Sequence, residues 1–263
     1  MPEAPSFDVA ALGAQIAAEA AAKAPFADCS EALAASPDPL AAAWDVQDAM
    51  RAVLAPQRGG VGGRKAAFNG PGQWEALGLP GPAAAPVYAA QVRTSPARIP
   101  AADFRAFWFE PEIIAILGAE LSGGGWTAGT VAPHVARLHP GFEVMDRRTD
   151  GNPPPLAAIA NGVFNEGMVI GGPGLPPGDV EVGALHSRVT LDGEVILDRT
   201  GAAPMHPLEA VARLANHFNA RGEALAAGEA LLCGAHLPPR MHVGPGVLRF
   251  DCGALGVAEL TLI

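Results

Sequence analysis

Cysteine is scarce in this chain. Cys29, Cys233 and Cys252 are the whole supply in 263 residues, an odd set without a C-x-x-C pair, so no disulfide framework is expected. Basic residues are outnumbered: 17 Lys and Arg stand against 27 Asp and Glu, a formal net charge of −10. That balance sets aside nucleic acid and anionic membranes as main partners. It leaves a small anionic substrate open, because a bound divalent cation reverses the local field. No run of eighteen uninterrupted apolar residues occurs, so no membrane-spanning helix is expected. Met1-Pro2-Glu3-Ala4-Pro5 lacks the basic and apolar segments of a secretory signal, and a reducing cytoplasm is the expected home. There is no G-x-S-x-G and no Ser-His-Asp order, which removes support for serine-hydrolase chemistry. Gly123-Gly124-Gly125 and Gly171-Gly172-Pro173-Gly174 are not followed by a Lys-Ser/Thr helix start and are expected to be turns rather than phosphate loops. The seven histidines show no H-x-x-x-H or H-x-H spacing.

What the chain does have is apolar substance, with 49% hydrophobic and 17% charged residues, enough for a sizeable core and no repeats. Val9, Leu12, Ile16 and Ala20 recur at helical spacing and predict an amphipathic helix over 8–24. Asp38 as N-cap and Pro39 in the first turn predict a second over 38–55. Gly59-Gly60-Val61-Gly62-Gly63 is expected to break structure, and the Pro-, Gly- and Ala-rich stretch 70–100 to be mostly irregular. From about residue 104 short β-like runs take over, near 107–117, 142–146, 168–171, 180–191, 194–198, 230–234, 247–251 and 256–262. Asp192-Gly193 marks a hairpin turn. One helix interrupts these strands, opened by His206-Pro207, lined by Val211, Leu214, Ala215 and Phe218, and ended by Gly222. The expected class is α+β, with a mostly helical N-terminal portion (1–90) and a β-rich core (91–263).

Within that core Glu110-Pro111-Glu112 heads the apolar run Ile113–Leu117. On a strand, residues two apart share a face, so two carboxylates project together from an element otherwise suited to burial. Such a pair is costly unless a cation neutralises it. Glu143, in Phe142-Glu143-Val144-Met145-Asp146, offers a third acid on a second strand-like run. Three carboxylates without neighbouring His or Cys suit a hard cation, Mg²⁺ or Mn²⁺.

Phe109-Glu110-Pro111-Glu112-Ile113-Ile114-Ala115-Ile116-Leu117-Gly118-Ala119-Glu120-Leu121 resembles the E-x-E-I-A-F-V-L-G-x-D-L segment of the fumarylacetoacetate hydrolase superfamily. The branch most similar is that of the 2-keto-4-pentenoate hydratases and 4-oxalocrotonate decarboxylases. Glu143-Val144-Met145-Asp146-Arg147-Arg148 resembles its E-V-V-D-S-R, and His206-Pro207-Leu208-Glu209-Ala210-Val211-Ala212-Arg213-Leu214-Ala215-Asn216 its H-P-L-x-A-V-A-W-L-A-N. Ala43-Trp44-Asp45-Val46-Gln47-Asp48-Ala49 resembles A-Y-x-I-Q-D-A, and Val61-Gly62-Gly63-Arg64-Lys65 resembles V-G-x-K. The blocks follow the family's order and span nearly the whole chain.

The resemblance implies a mixed β-sandwich or roll for the core, metal held by Glu110, Glu112 and Glu143, and Lys65 as substrate holder or proton carrier. It implies a metal-dependent lyase acting on a small 2-keto or 2-hydroxydienoate acid. Hydration of 2-hydroxypenta-2,4-dienoate is the leading activity, with 4-oxalocrotonate-type decarboxylation or acylpyruvate C–C hydrolysis as alternatives. A catalytically degenerate partner subunit is the alternative of another class. Homo-oligomerisation, or pairing with a related hydratase or decarboxylase subunit, is implied as well. Ala67 and Asn69 stand where the family places a glycine and a hydroxyl residue near substrate, and Asn165 or Glu166 replaces a serine. The family's acid downstream of the lysine is absent from Pro80-Gly81-Pro82-Ala83-Ala84-Ala85-Pro86, which puts water addition in doubt and makes the runner-up, decarboxylation, more attractive; Glu166 could supply the carboxylate and reads equally as a surface residue. Cys233, in Cys233-Gly234-Ala235, either lines the pocket or is an inert small hydrophobe. Asp146 and Arg148 read as a supporting pair, His206 as a helix cap, and His236 and His242 as residues that approach the pocket at most.

Overall fold

The structure, a computed structural model, describes residues 8–149 and 151–263. The opening pentapeptide read above lies outside these residues. The helices are α1 (Val9–Ala21), α2 (Ser30–Ala34), α3 (Pro39–Leu54), α4 (Gln73–Ala76), α5 (Ala128–Val131), α6 (Pro155–Ala160) and α7 (Pro207–Ala220). The strands are β1 (Val61–Ala67), β2 (Ala83–Tyr88), β3 (Val92–Thr94), β4 (Ala97–Ile99), β5 (Phe107–Leu117), β6 (Val135–Asp146), β7 (Asn165–Ile170), β8 (His186–Leu191), β9 (Glu194–Thr200), β10 (Ala230–Ala235), β11 (Arg240–Met241), β12 (Gly246–Asp251) and β13 (Val257–Leu262).

An eight-stranded mixed sheet runs β2-β1-β10-β5-β6-β7-β3, with β11 added beside β5. It curls. β1 and β7 are four positions apart in that order, yet a Cβ built on Gly63 would lie 3.0 Å from Met168 Cε. The concave interior is plugged at one end by Val87, Ile114, Met168, Ala230 and Leu232. A second sheet, β4-β13-β12-β8-β9, covers the convex face. Phe107, Phe109, Ile113, Ala115 and Leu117 of β5 point there and join Phe142, Phe250 and Leu260, while α7 packs on the same core. Because β5 is covered on both sides, its second half reads as an unbroken apolar run rather than an alternation.

The N-terminal helices form a separate layer. Asp38 Oδ1 accepts from Ala41 N (3.0 Å) to cap α3, and Pro39 takes the first turn. Buried Gln47 donates to Ala84 O (3.1 Å) and Ile159 O (2.7 Å), pinning α3 to β2 and α6. The helices expected over 8–24, 38–55 and 206–222 are present, and Asp192 and Gly193, both at positive φ, close the β8–β9 hairpin.

The expected boundary at residue 90 coincides with no break in the sheet. β1 pairs with β10 and β2 with β1, so both strands of that stretch belong to the curled sheet. The glycines read as a breaker sit inside β1 because backbone passes close by: a Cβ on Gly63 would meet Ala230 O at 2.2 Å. The stretch 70–100, expected to be irregular, holds α4, β2, β3 and β4; Pro86 is tolerated because β2 is an edge strand. The run expected as one strand over 180–191 is strand only from His186, after a short helical turn at Val182–Ala184.

Candidate metal and substrate site

β5 and β6 are antiparallel neighbours with Glu110 directly opposite Glu143 and Glu112 opposite Gly141. The three carboxylates offer oxygens that all lie within 4.8 Å of one another. Glu112 and Glu143 are buried and Glu110 half-buried. Like charges opposed across a strand pair repel. Burial, then the Glu143 carboxylate, push the Glu110 pKa up to about 8, with Lys65 pulling the other way. Burial, then Glu143 and Glu110, hold Glu112 well above the usual carboxylate range against the hydrogen bond it accepts from Gly234 N (2.7 Å).

One cation reaches this cluster from three strands away. Lys65 on β1, 1% exposed, extends across the curled interior to Glu143 Oε1, and its Nζ also donates to Val163 O (3.4 Å). Asn165 Nδ2 donates to the same Glu143 oxygen (2.9 Å). Val163 and Phe164 both have positive φ. A β-branched residue in that conformation is strained, and here the strain aims a carbonyl at the lysine and sets Asn165 under Glu143. Arg148 Nη2 to Asn161 Oδ1 (2.7 Å) and Asn161 Nδ2 to Ala157 O (2.9 Å) brace this turn.

Three carboxylates against one ammonium leave an excess of two negative charges when all are ionised. Glu143 Oε2 is buried with no hydrogen-bond partner among the described residues. An all-oxygen donor set, an orphaned buried oxygen and a charge excess of two fit a hard divalent cation. Glu110 and Glu112 open onto a cavity of about 700 Å³, whose walls include Phe68, Leu77, Trp108, Met145, Phe164 and Pro239. That size and apolar character suit a small organic ligand.

Lys65, Ala67, Asn69, Glu110 and Glu112 line this cavity. Asn69 is also tied to β10 through Nδ2 to Cys233 O (2.9 Å). Three expectations shift. Cys233 points to the convex core with its Sγ toward Leu231 O (3.3 Å), because β10 alternates and Leu232 takes the concave side; the Cys233 thiol does not line the cavity. Glu166 lies outside the cavity, paired with Arg58 (3.2 Å) and Gln91 beside Tyr88, so it supplies no carboxylate there. Asn165 reaches Glu143 rather than the cavity, and orients a carboxylate. Asp146 accepts from Arg105 N and Ala106 N (both 2.9 Å) and fixes the end of β6. His236 is buried on Ser187 (2.8 Å) and His242 turns to Pro245 O; neither lines the cavity. His206 Nδ1 caps α7 by accepting from Leu208 N (3.2 Å). Trp108, Met145 and Arg147, which do line it, were not singled out in the sequence. Carrying the period of two outward from Glu110 and Glu143 finds all three.

No family model matches the chain. Among curated proteins it is 32% identical over 139 residues to a 4-oxalocrotonate decarboxylase of Pseudomonas putida, covering 52% of each chain. It is 31% identical over 155 residues to a 2-hydroxyhexa-2,4-dienoate hydratase of Comamonas testosteroni, covering 58% of each. In sequence the chain is similar to these two enzymes over the matched stretch. Its matched part spans little more than half the length of those curated relatives. Similarity of fold reaches further: a 4-oxalocrotonate decarboxylase from Pseudomonas putida G7, complexed with magnesium and adipate, superposes with a TM-score of 0.88 at 23% identity over 97% of both chains. A fumarylpyruvate hydrolase from Pseudomonas aeruginosa, complexed with Mn²⁺ and pyruvate, gives a TM-score of 0.56 at 16% identity over 76% of this chain and 88% of that one. Among the described residues no helix is long and apolar enough to cross a membrane.

Proposed function

We infer that the protein is a divalent-metal-dependent lyase acting on a small 2-keto or 2-hydroxydienoate acid. The observation that carries this is a cluster of three carboxylates, of which Glu110 and Glu112 open together with Lys65 onto an apolar cavity of about 700 Å³. Glu110, Glu112 and Glu143 would hold Mg²⁺ or Mn²⁺. When bound, such an ion supplies Lewis acidity toward adjacent carboxylate and keto oxygens of a substrate. Asn165 fixes Glu143, and the Gly234 N–H fixes Glu112. Lys65 Nζ, held by Glu143 and Val163 O, carries a third N–H for a substrate oxygen and is the proton carrier of the lining.

Decarboxylation is the second reading, and one feature favours it over hydration. Glu110 and Glu112, both in the metal set, are the only carboxylates lining the cavity among the described residues. Adding water to a double bond calls for a further acid or base; losing CO₂ from an activated keto acid does not. The curated relatives named as decarboxylase and hydratase are compatible with either. Assembly into homo-oligomers or with a related subunit belongs to the same proposal, supported by exposed Met241, Val243 and Val247.

Titration calorimetry of Mg²⁺ and Mn²⁺ into chelator-treated protein, with and without oxalate, tests the core of this reading. Binding that tightens with oxalate and disappears in Glu112→Ala is the expected result. Folded protein that binds neither ion would refute it and promote the catalytically degenerate partner subunit. Turnover of dienoate, oxalocrotonate-type and acylpyruvate substrates side by side then separates the lyase reactions from hydrolysis.

A further inference from the structure

The peptide that steadies Glu112 is itself steadied from the other side. β10 runs antiparallel to β5 with Leu232 opposite Ile114, and the next matched pair is Ala235 opposite Glu112. Cys233 and Gly234 together therefore stand against Ile113 alone, which is a β-bulge. On its other edge β10 is paired with β1 only as far as Lys65 opposite Leu232. The peptide joining Cys233 to Gly234 thus lies past the regular ladder on both sides. Both residues are buried, so its carbonyl and N–H call for partners.

Two side chains answer that call from opposite ends. The Cys233 carbonyl accepts from Asn69 Nδ2 (2.9 Å), and the Gly234 N–H of the same peptide donates to Glu112 Oε2 (2.7 Å). The peptide unit is planar, so turning it off one partner turns it off the other. Hydrogen bonds joined in such a chain also strengthen one another. A carbonyl only accepts, which fixes the way round of the Asn69 amide. Phe68, at φ 56°, turns the chain out of β1 and brings Asn69, 6% exposed, beside β10. Gly234, at φ 127°, keeps the contact open: a Cβ there would meet Asn69 Nδ2 at 2.5 Å.

We propose that Asn69 is a positioning residue for the cation site: through the Cys233–Gly234 peptide it aims the Gly234 N–H at Glu112, and so sets the affinity of the carboxylate cluster for a divalent cation. Asn69 makes no hydrogen bond to Glu110, Glu112 or Glu143 and acts through that peptide. Without Nδ2 the Cys233 carbonyl loses its donor, the bulge is free to turn, and Glu112 loses the constraint on one of its oxygens. Groups that hydrogen-bond behind a metal ligand commonly carry about 10–100-fold in metal affinity. The proposal rests on the metal-site reading and adds a residue that tunes it from the cavity wall.

Calorimetric titration of Mg²⁺ into the chelator-treated full chain, with no organic ligand present, is the test. Asn69→Ala should bind Mg²⁺ ~10–100-fold more weakly than wild type. Oxalate affinity at saturating Mg²⁺ should stay within about 2-fold of wild type, because the amide is assigned to the ligand set and not to the organic acid. The reverse pattern, unchanged Mg²⁺ affinity with weakened oxalate, makes Asn69 a substrate contact and overturns the proposal. A lower melting temperature with unchanged Mg²⁺ affinity also overturns it, leaving Asn69 a brace of the fold. Asn69→Ser, which keeps a donor on a shorter arm, supplies the same comparison if the alanine variant fails to fold. Failure of the wild type to bind Mg²⁺ overturns the metal-site reading itself; binding by the wild type that Asn69→Ala equals overturns this proposal alone.

Discussion

Arg64 and Lys65 are neighbours on β1, and both are almost fully buried, at 3% and 1% exposure. They face opposite sides of one strand and have opposite fates. Arg64 points to the convex side, with its guanidinium carbon 4.4 Å from the centroid of the Phe218 ring, pairing with Glu223 (3.1 Å) and Glu229 (3.5 Å). Arg51 and Arg221 extend this cluster to Asp45 and Asp48, so basic and acidic groups nearly balance. Lys65 points to the concave side and pairs with one member of a cluster of three carboxylates. A balanced buried network joins elements together, here β1 with α3, α7 and the segment before β10. An unbalanced one beside a cavity carries electrostatic repulsion that protons or a ligand must relieve. Burial and ion pairing do not distinguish a structural cation from a functional one; charge balance and access do.

Substitutions can break this contrast, and the largest effect is expected at Lys65. Lys65→Ala in metal-loaded protein should lower turnover by ~10²–10⁴-fold, the usual worth of a positioned proton carrier, measured as initial rate on the best substrate of the panel. An unchanged rate would remove Lys65 from the chemistry. Arg64→Ala should leave the cavity intact and instead cost about 3–5 kcal/mol of stability, since it strands Glu229 and leaves Glu223 with Arg51 alone; urea unfolding measures it. A loss confined to activity would invert the comparison. Glu110→Gln should move the other way, raising the stability of metal-free protein by about 1–2 kcal/mol because one of three repelling groups is gone, while weakening Mg²⁺ binding. Thermal melts with and without Mg²⁺ report both.

The smallest effect concerns His217, stacked on Trp44 (4.4 Å between ring centroids) beside the Arg64 network. Burial, then Arg221, hold its pKa down at about 4, against an ordinary value of 6.5. The fold therefore favours the neutral ring. The resulting stability is present above pH 6.5 and is lost as pH falls through the window down to about 4. His217→Phe should remove about 1 kcal/mol of that acid sensitivity, allowing for partial exposure. It appears as a smaller drop in urea midpoint between pH 7 and pH 5 than wild type shows.

Much of the site was legible because its residues repeat at a strand's period of two. Glu110 and Glu112 announce a shared face, and β5 has the bounds expected of it, residues 107–117. What was not legible depends on the curl of the sheet. Nothing local says that Lys65 reaches β6 across the interior, that Asn165 turns to Glu143, or that Cys233 turns away; each follows from which strands are brought face to face. β1 and β2 went unread because small residues, usually a sign of loop, are there the answer to close backbone contact. Ala83, Ala84 and Ala85 are buried in a strand pressed between helices and sheet. Glu166 looked like a spare acid because sequence does not show that Arg58 and Gln91 already hold it.

The crowding at Gly63 has a consequence for how this strand tolerates insertion and deletion. A shift of β1 by one residue would exchange the two cations, presenting Lys65 to Phe218 and Arg64 to the interior. Loss of one upstream glycine would carry Arg64 into the position where even a methyl group would meet Ala230 O at 2.2 Å and Met168 Cε at 3.0 Å. The misaligned chain is thereby rejected on steric grounds during folding, and the missing side chain acts as a proofreader for which cation enters the cavity.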